Sequence, residues 1–347
     1  MDAKFRGLLA WLSGTEGGRY ELEDEILILD ALICVRVGRY PTSGRRFRTS
    51  QPRAGTEDSV ERLGGSHGEP RSKCRARGWA RLRTLRGDIV NDIQSLFSLA
   101  GKTAFISGAS GGIGLHIARV LAQAGAAVVL AARRVDKVQA EVASLRGEGY
   151  RACGVALDVI SPQSITQAWQ SAQEEIGAPI DILINNAGVL YAERFLSQKL
   201  EDIERVFDTN LKGAFLLAQR AAQSMVECGG GSIINIASTS GLRAAGHLAS
   251  YGASKAALIQ LTQTMALELA RKGVRVNALC PGNFRTEMHL SFQENGLEGN
   301  ILQRIPMHKI GEVDQLDGAT LLLASGAGSY MTGAVVVVDG GQTLSWM

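Results

Sequence analysis

The chain has 347 residues, 45% of them hydrophobic, with 37 Lys+Arg against 34 Asp+Glu and a formal net charge of +3. That suits one large α/β domain with a tail, or two domains, and no apolar run reaches the roughly 20 residues that span a bilayer. The five cysteines (Cys34, Cys74, Cys153, Cys228, Cys280) have neither metal spacing nor a paired framework, so no metal, no membrane and a reducing cytoplasm are expected.

Residues 1–89 hold 17 Lys+Arg and 12 Asp+Glu, and most of this stretch lacks helical or strand periodicity. Runs such as Ser43-Gly44-Arg45-Arg46-Phe47-Arg48 read as solvated chain. Only 21–37, ELEDEILILDALICVRV, has the apolar content of a structured element. Three readings stand open: a disordered extension, a basic arm, or a segment foreign to the native protein with translation starting near Val90. Residues 1–95 are set apart as an extension and 96–347 as one domain. Asp2 precedes the first short apolar stretch, which makes a poor secretory signal. Residues 90–347 hold 20 basic and 22 acidic side chains, which gives no electrostatic footprint for nucleic acid.

From 100 onward strand and helix patterns alternate. Residues 102–107 predict a short buried strand. Gly108-Ala109-Ser110-Gly111-Gly112-Ile113-Gly114 follows at once, and Ile113, Ile117, Val120 and Leu121 then recur at helical spacing. Strand, glycine turn and helix form the context of a dinucleotide phosphate loop. Gly108 permits the tight turn, Gly112 lets the backbone approach a pyrophosphate, and Gly114 lets helix and strand close up. The helix start offers N–H groups to the phosphates. The next strand, 127–132, ends in Arg133-Arg134, where an NAD site usually places an acidic residue. A guanidinium there suits a 2′-phosphate. Arg133 is assigned to the cofactor, NADP is expected with NAD as the alternative, and Arg134 reads as surface.

Further strand-like runs lie near 151–157, 180–184, 231–237, 274–280 and 334–338. With the intervening helices they predict an α/β fold, a Rossmann-type, doubly wound, seven-stranded parallel sheet. Ser238 ends one of these strands. Tyr251 and Lys255 stand four residues apart in SYGASKAAL and share a helix face. An ammonium near a phenol favours the phenolate and lowers its pKa from about 10. Ser238 can bond a substrate oxygen and hold it for hydride delivery. Thr239 and Ser240 read as loop residues.

Residues from about 100 to 347 resemble a short-chain dehydrogenase/reductase of the short, single-domain form, similar to the 3-oxoacyl-(acyl-carrier-protein) reductases. The loop S-G-A-S-G-G-I-G resembles that family's T-G-x-x-x-G-x-G, with Ser107 in the threonine position and Ser110 and Ile113 among the cofactor contacts. Leu157-Asp158-Val159 resembles the adenine-contacting stretch, and Asn185-Asn186-Ala187-Gly188 the N-N-A-G element at the cofactor ribose. Asn210 matches the asparagine of the proton relay. Pro281, Gly282 and Thr286 match the stretch at the nicotinamide amide.

The resemblance implies strand order 3-2-1-4-5-6-7, a helix over 199–227 carrying Asn210, and a homotetramer or homodimer built on helices 199–227 and 251–272. It implies that Tyr251 is the general acid in reduction and the base in oxidation. Lys255 would hold the nicotinamide ribose and lower the Tyr251 pKa, Ser238 would polarise the carbonyl, and Asn210 would connect Lys255 to water. The implied activity is hydride transfer between a nicotinamide cofactor and a small-molecule ketone or secondary alcohol, as in 3-oxoacyl thioester reduction. A sugar or polyol (gluconate-type) dehydrogenase and a non-catalytic dinucleotide-sensing protein are the alternatives. Substrate choice is expected in 190–198, 242–250 and 283–310. Leu190, Phe195, Leu242, Phe284, Leu290 and Phe292 there give a mostly apolar lining, and Arg243 and Arg285 are candidates for an anionic group.

Overall fold

The computed structural model describes residues 93–287 and 298–345. The chain divides into two units, Met1–Pro70 and Arg71–Met347, and every described residue belongs to the second. The element expected at 21–37, the arginine runs, Val90, Leu290 and Phe292 lie outside the described residues.

Seven parallel strands form one sheet in the order β3-β2-β1-β4-β5-β6-β7. They are β1 Thr103–Ser107, β2 Ala127–Ala132, β3 Ala152–Ala156, β4 Ile182–Asn185, β5 Gly231–Ile236, β6 Val274–Pro281 and β7 Val335–Val338. Order and positions match the sequence reading to within two residues at each end. β1 and β2 are buried at every residue, which is why Ala104–Ile106 and Ala127–Ala132 carry no alternating polar positions. Alternate side chains feed opposite faces. Ala104, Ile106, Val128 and Leu130 pack with Ile117 and Leu121 on one side. Phe105, Val129 and Leu183 pack with Trp169 and Leu217 on the other, the Phe105 and Trp169 ring centroids 5.2 Å apart.

The covering helices are α1 Ile93–Phe97, α2 Gly112–Gln123, α3 Val135–Gly147, α4 Pro162–Ile176, α5 Leu200–Phe207, α6 Ala214–Glu227, α7 Ala249–Leu269, α8 Glu298–Gln303 and α9 Asp317–Ala324. The single helix expected over 199–227 is corrected. A π-helical turn, Asp208–Gly213, separates α5 from α6. Asn210 within it is fully buried and grips the Val189 backbone. Its Oδ1 accepts from Val189 N at 2.8 Å, and its Nδ2 donates to Val189 O at 2.9 Å and to Ser254 Oγ at 3.2 Å. Such widened turns concentrate at functional positions.

Because the strands are parallel, their carboxyl ends share one side of the sheet. The strand order reverses between β1 and β4, and a crevice for a ligand opens at such a point.

Candidate active site

A groove crosses the carboxyl ends of the strands. Its outer part encloses about 710 Å³ and is walled by the glycine loop, by Arg133 and Arg134, by Asp158 and Val159, and by Ala187. Its inner part, about 140 Å³, is walled by Ser238, Tyr251, Lys255, Pro281 and Gly282. Ile113, Asn186, Gly188 and Thr286 line both, so the two parts are continuous. The structure thus gathers Gly108, Ser110, Gly112 and the other sequence-expected residues on one surface. Gly114 and Asn210 are the exceptions and sit behind it. A Cβ placed on Gly188 would stand 3.3 Å from Asn210 Oδ1 and 3.5 Å from Lys255 Nζ, which locates Asn210 directly under the wall.

The glycine loop is shaped by close approach. Gly108 has a φ of 68°, and a Cβ on Gly114 would lie 2.6 Å from the Gly108 carbonyl and would strike Asn186 Nδ2. Ser107 joins the loop to β4. Its Oγ accepts from the backbone N–H groups of Asn186 and Ala187, both at 3.0 Å, and donates to Ile184 O at 3.4 Å. Asn186 Nδ2 returns bonds to Ser107 O at 3.0 Å and Gly108 O at 3.2 Å. Ser107→Ala leaves two N–H groups without this acceptor and is expected to destabilise the protein by about 2–3 kcal/mol. Urea unfolding checks this, with Ser107→Thr, which keeps the hydroxyl, expected to stay within about 1 kcal/mol of the parent.

Several features fit a nicotinamide dinucleotide. Helix α2 starts at Gly112 after Gly111, with no side-chain cap, so its first N–H groups face the groove as a site for phosphate. Basic side chains stand at the end of β2, and the outer groove runs without a break into the Ser238–Tyr251–Lys255 cluster. Arg134 is exposed, as the sequence reading has it, and its guanidinium lies over the loop. Nε and Nη2 donate to Ser110 Oγ at 3.1 and 2.9 Å, and Nη1 lies 3.8 Å from Glu287 Oε2. Neighbouring arginines at a strand end cannot be told apart by order along the chain. Glu287 had no signal in the sequence at all.

In the inner cluster, Ser238 Oγ accepts from Ser240 N at 3.1 Å, which leaves its hydroxyl proton for another acceptor. Lys255 is 4% exposed, donates from Nζ to Ile236 O at 2.8 Å, and lies 5.9 Å from the Tyr251 ring centroid. Burial lowers the Lys255 ammonium to about 8. Burial also raises the Tyr251 phenol above its usual value, against a smaller downward pull from the Ser238 hydroxyl. The expected lowering of Tyr251 by Lys255 is therefore not met in the protein alone, because the buried phenolate loses its water. Cys280 packs beside this cluster, its thiol raised by burial to about 11. Cys153 and Cys280 are buried thiols, as expected, and Cys228 is exposed.

At the substrate rim, Phe284 is buried while Phe195 and Leu242 are exposed. Arg243 donates to Thr343 O at 2.6 Å and Arg285 to Glu312 Oε1 at 2.7 Å, so each proposed anion contact already has a protein partner. Among the described residues no group of three His, Cys, Asp or Glu could hold a metal, and no helix is long and apolar enough to cross a membrane.

A family model described as enoyl-(acyl carrier protein) reductase matches residues 108–343. The chain is 36% identical to gluconate 5-dehydrogenase from Gluconobacter oxydans over 252 residues, covering 72% of this chain and 98% of the relative. It is 34% identical to 3-oxoacyl-(acyl-carrier-protein) reductase from Aquifex aeolicus over 245 residues, 70% and 98% of the two chains. Among solved structures, a gluconate 5-dehydrogenase from Burkholderia cenocepacia in complex with NADP and tartrate superposes with a TM-score of 0.70 at 36% identity. That match covers 73% of this chain and 99% of the other.

Proposed function

This chain belongs to the short-chain dehydrogenase/reductase family, and on that premise we propose that it is an NADP-dependent enzyme interconverting a polyhydroxylated ketone and its secondary alcohol. Its activity class is that of an NAD(P)-dependent oxidoreductase acting on CH–OH groups. The observation that carries the mechanism is that Ser238, Tyr251 and Lys255 wall the inner end of the groove into which the uncapped start of α2 opens.

When bound, the cofactor supplies or accepts the hydride. The chain does the rest. Ser238 donates its hydroxyl proton in a hydrogen bond to the substrate oxygen, its Oγ already fixed by Ser240 N–H. Tyr251 gives its phenolic proton to that oxygen in reduction and takes it back in oxidation. Lys255 holds the nicotinamide ribose, and its positive charge offsets the cost that burial puts on the phenolate. Asn210 fixes Val189 and backs the Gly188 wall beside Lys255. Gly108, Ser110, Gly112, Ile113, Arg133, Asp158, Val159, Asn186, Ala187, Gly188, Pro281, Gly282 and Thr286 form the cofactor surface, and Gly114 supports the loop from behind.

The sugar-type substrate rests on the gluconate dehydrogenases among the relatives. A 3-oxoacyl thioester is the second reading, favoured by the exposed apolar rim of Phe195, Leu196 and Leu242. Residues 96–347 form the catalytic domain in this reading, in a cytoplasmic homotetramer or homodimer. Exposed Leu267 on α7 and Phe215 on α6 support that assembly.

The test is loss of NADPH and NADH absorbance with 5-keto-gluconate and, separately, acetoacetyl thioester. Turnover with the keto acid, at a kcat/KM at least about tenfold higher for NADPH, is the expected result. Turnover with the thioester alone selects the second reading. Tight cofactor binding without turnover of any ketone overturns both in favour of a dinucleotide sensor.

A further inference from the structure

The carboxylate of Glu287 occupies an unexpected place. A cofactor groove built for phosphates should be lined by donors, yet this acid leans over the middle of the phosphate loop. A Cβ placed on Gly111 would stand 3.5 Å from Glu287 Oε1 and 3.6 Å from Arg134 Nη2, so carboxylate and guanidinium converge above the same residue. Arg134 Nη1 and Glu287 Oε2 are 3.8 Å apart, with side chains 48% and 66% exposed. The two belong to opposite walls. Arg134 immediately precedes α3 after β2, whereas Glu287 follows Thr286 beyond β6. Both line the outer groove together with Arg133.

We propose that Glu287 sets cofactor choice by competing with the ribose 2′-phosphate for the guanidinium of Arg134. This rests on the NADP reading above and assigns a residue that opposes it. Ser110 holds Arg134 in place through Nε and Nη2, which leaves the Nη1 edge as the one shared by the two anions. A phosphomonoester carries more charge than a carboxylate and presents three strong acceptor oxygens, so it wins the contest. An adenosine lacking the 2′-phosphate offers Arg134 nothing in exchange and leaves the Glu287 bridge intact. The acid therefore lowers affinity specifically for the phosphorylated cofactor, because only that cofactor must displace it. Glu201, Glu204, Arg205 and Asp208 also line the outer groove, with Asp208 paired to Lys212.

The experiment is calorimetric titration of the full chain with adenosine 2′,5′-bisphosphate and with adenosine 5′-monophosphate, which reads binding without turnover. Glu287→Gln is expected to tighten the bisphosphate about fivefold and to change the monophosphate by less than twofold. Arg134→Ala should weaken the bisphosphate at least tenfold, and adding Glu287→Gln to it should change nothing further. Equal tightening of both ligands, or an undiminished Glu287→Gln effect in the Arg134→Ala background, overturns the proposal. The parent protein separates this from the NADP reading. If it binds both ligands alike, that reading fails, and the proposal then stands only if Glu287→Gln creates a preference for the bisphosphate.

Discussion

Replacing Tyr251 by Phe lowers kcat by about 10²–10⁴ while leaving the dissociation constant of NADPH within about twofold. The ring stays and only the phenolic oxygen goes, so the wall beside Ser238 and Lys255 keeps its shape. What is lost is the phenolic proton that the proposed mechanism delivers to the substrate oxygen. Its pKa, raised by burial, keeps the group protonated at neutral pH, as reduction requires. Steady-state kinetics and quenching of protein fluorescence by NADPH, run in parallel, check both halves. A fall in kcat of less than tenfold would mean that another group supplies the proton.

Lys255→Met is expected to lower activity about a hundredfold and to stabilise the protein without cofactor. Burial lowers the ammonium from 10.5 to about 8, so holding its charge inside costs the folded state roughly 3 kcal/mol below pH 8. The bond to Ile236 O returns about 1–2 kcal/mol of this, leaving a net gain of about 1–2 kcal/mol for the methionine at pH 7. The sign of the pH dependence is fixed. The folded pKa lies below the unfolded one, so between about 8 and 10.5 the unfolded chain binds more protons. The parent's stability then rises with pH relative to the variant. Urea unfolding at pH 7 and pH 9.5 should show the variant's advantage shrinking. An advantage that is absent at pH 7 or unchanged at pH 9.5 would show that Lys255 is not held at such a cost. The kinetic loss, about 10² in kcat with weaker NADPH binding, would show what that cost sustains.

Much of the fold was legible because a parallel sheet covered on both faces leaves a plain trace. Thr103–Ser107 and Ala127–Ala132 are buried throughout and apolar at their centres, and glycines or polar residues mark their ends. The phosphate loop was legible because its glycines answer to close approach, as Gly114 does against Gly108. Three things were not. The π turn at Asp208–Gly213 lies inside the stretch 199–227, which the family resemblance gave only as one helix. The direction of the Tyr251 shift depends on burial, which the four-residue spacing to Lys255 does not carry. The meeting of Arg134 with Glu287 joins residues distant in the chain through the tertiary fold, and nothing local to either announces it.

The crossing of the sheet at β1 also bears on how the protein comes into being. β1 can pair with β2 as soon as residues 103–132 are made, but its other edge waits for β4, some eighty residues later. The phosphate loop hangs at that waiting edge, and Ser107 meets the N–H groups of Asn186 and Ala187 only once the second half has docked. A dinucleotide lying in the groove touches both sides of this seam. A ligand that binds only the closed form withdraws molecules from opening, and so from proteases that cut open chains. Saturating cofactor is therefore expected to slow digestion of this chain by such proteases.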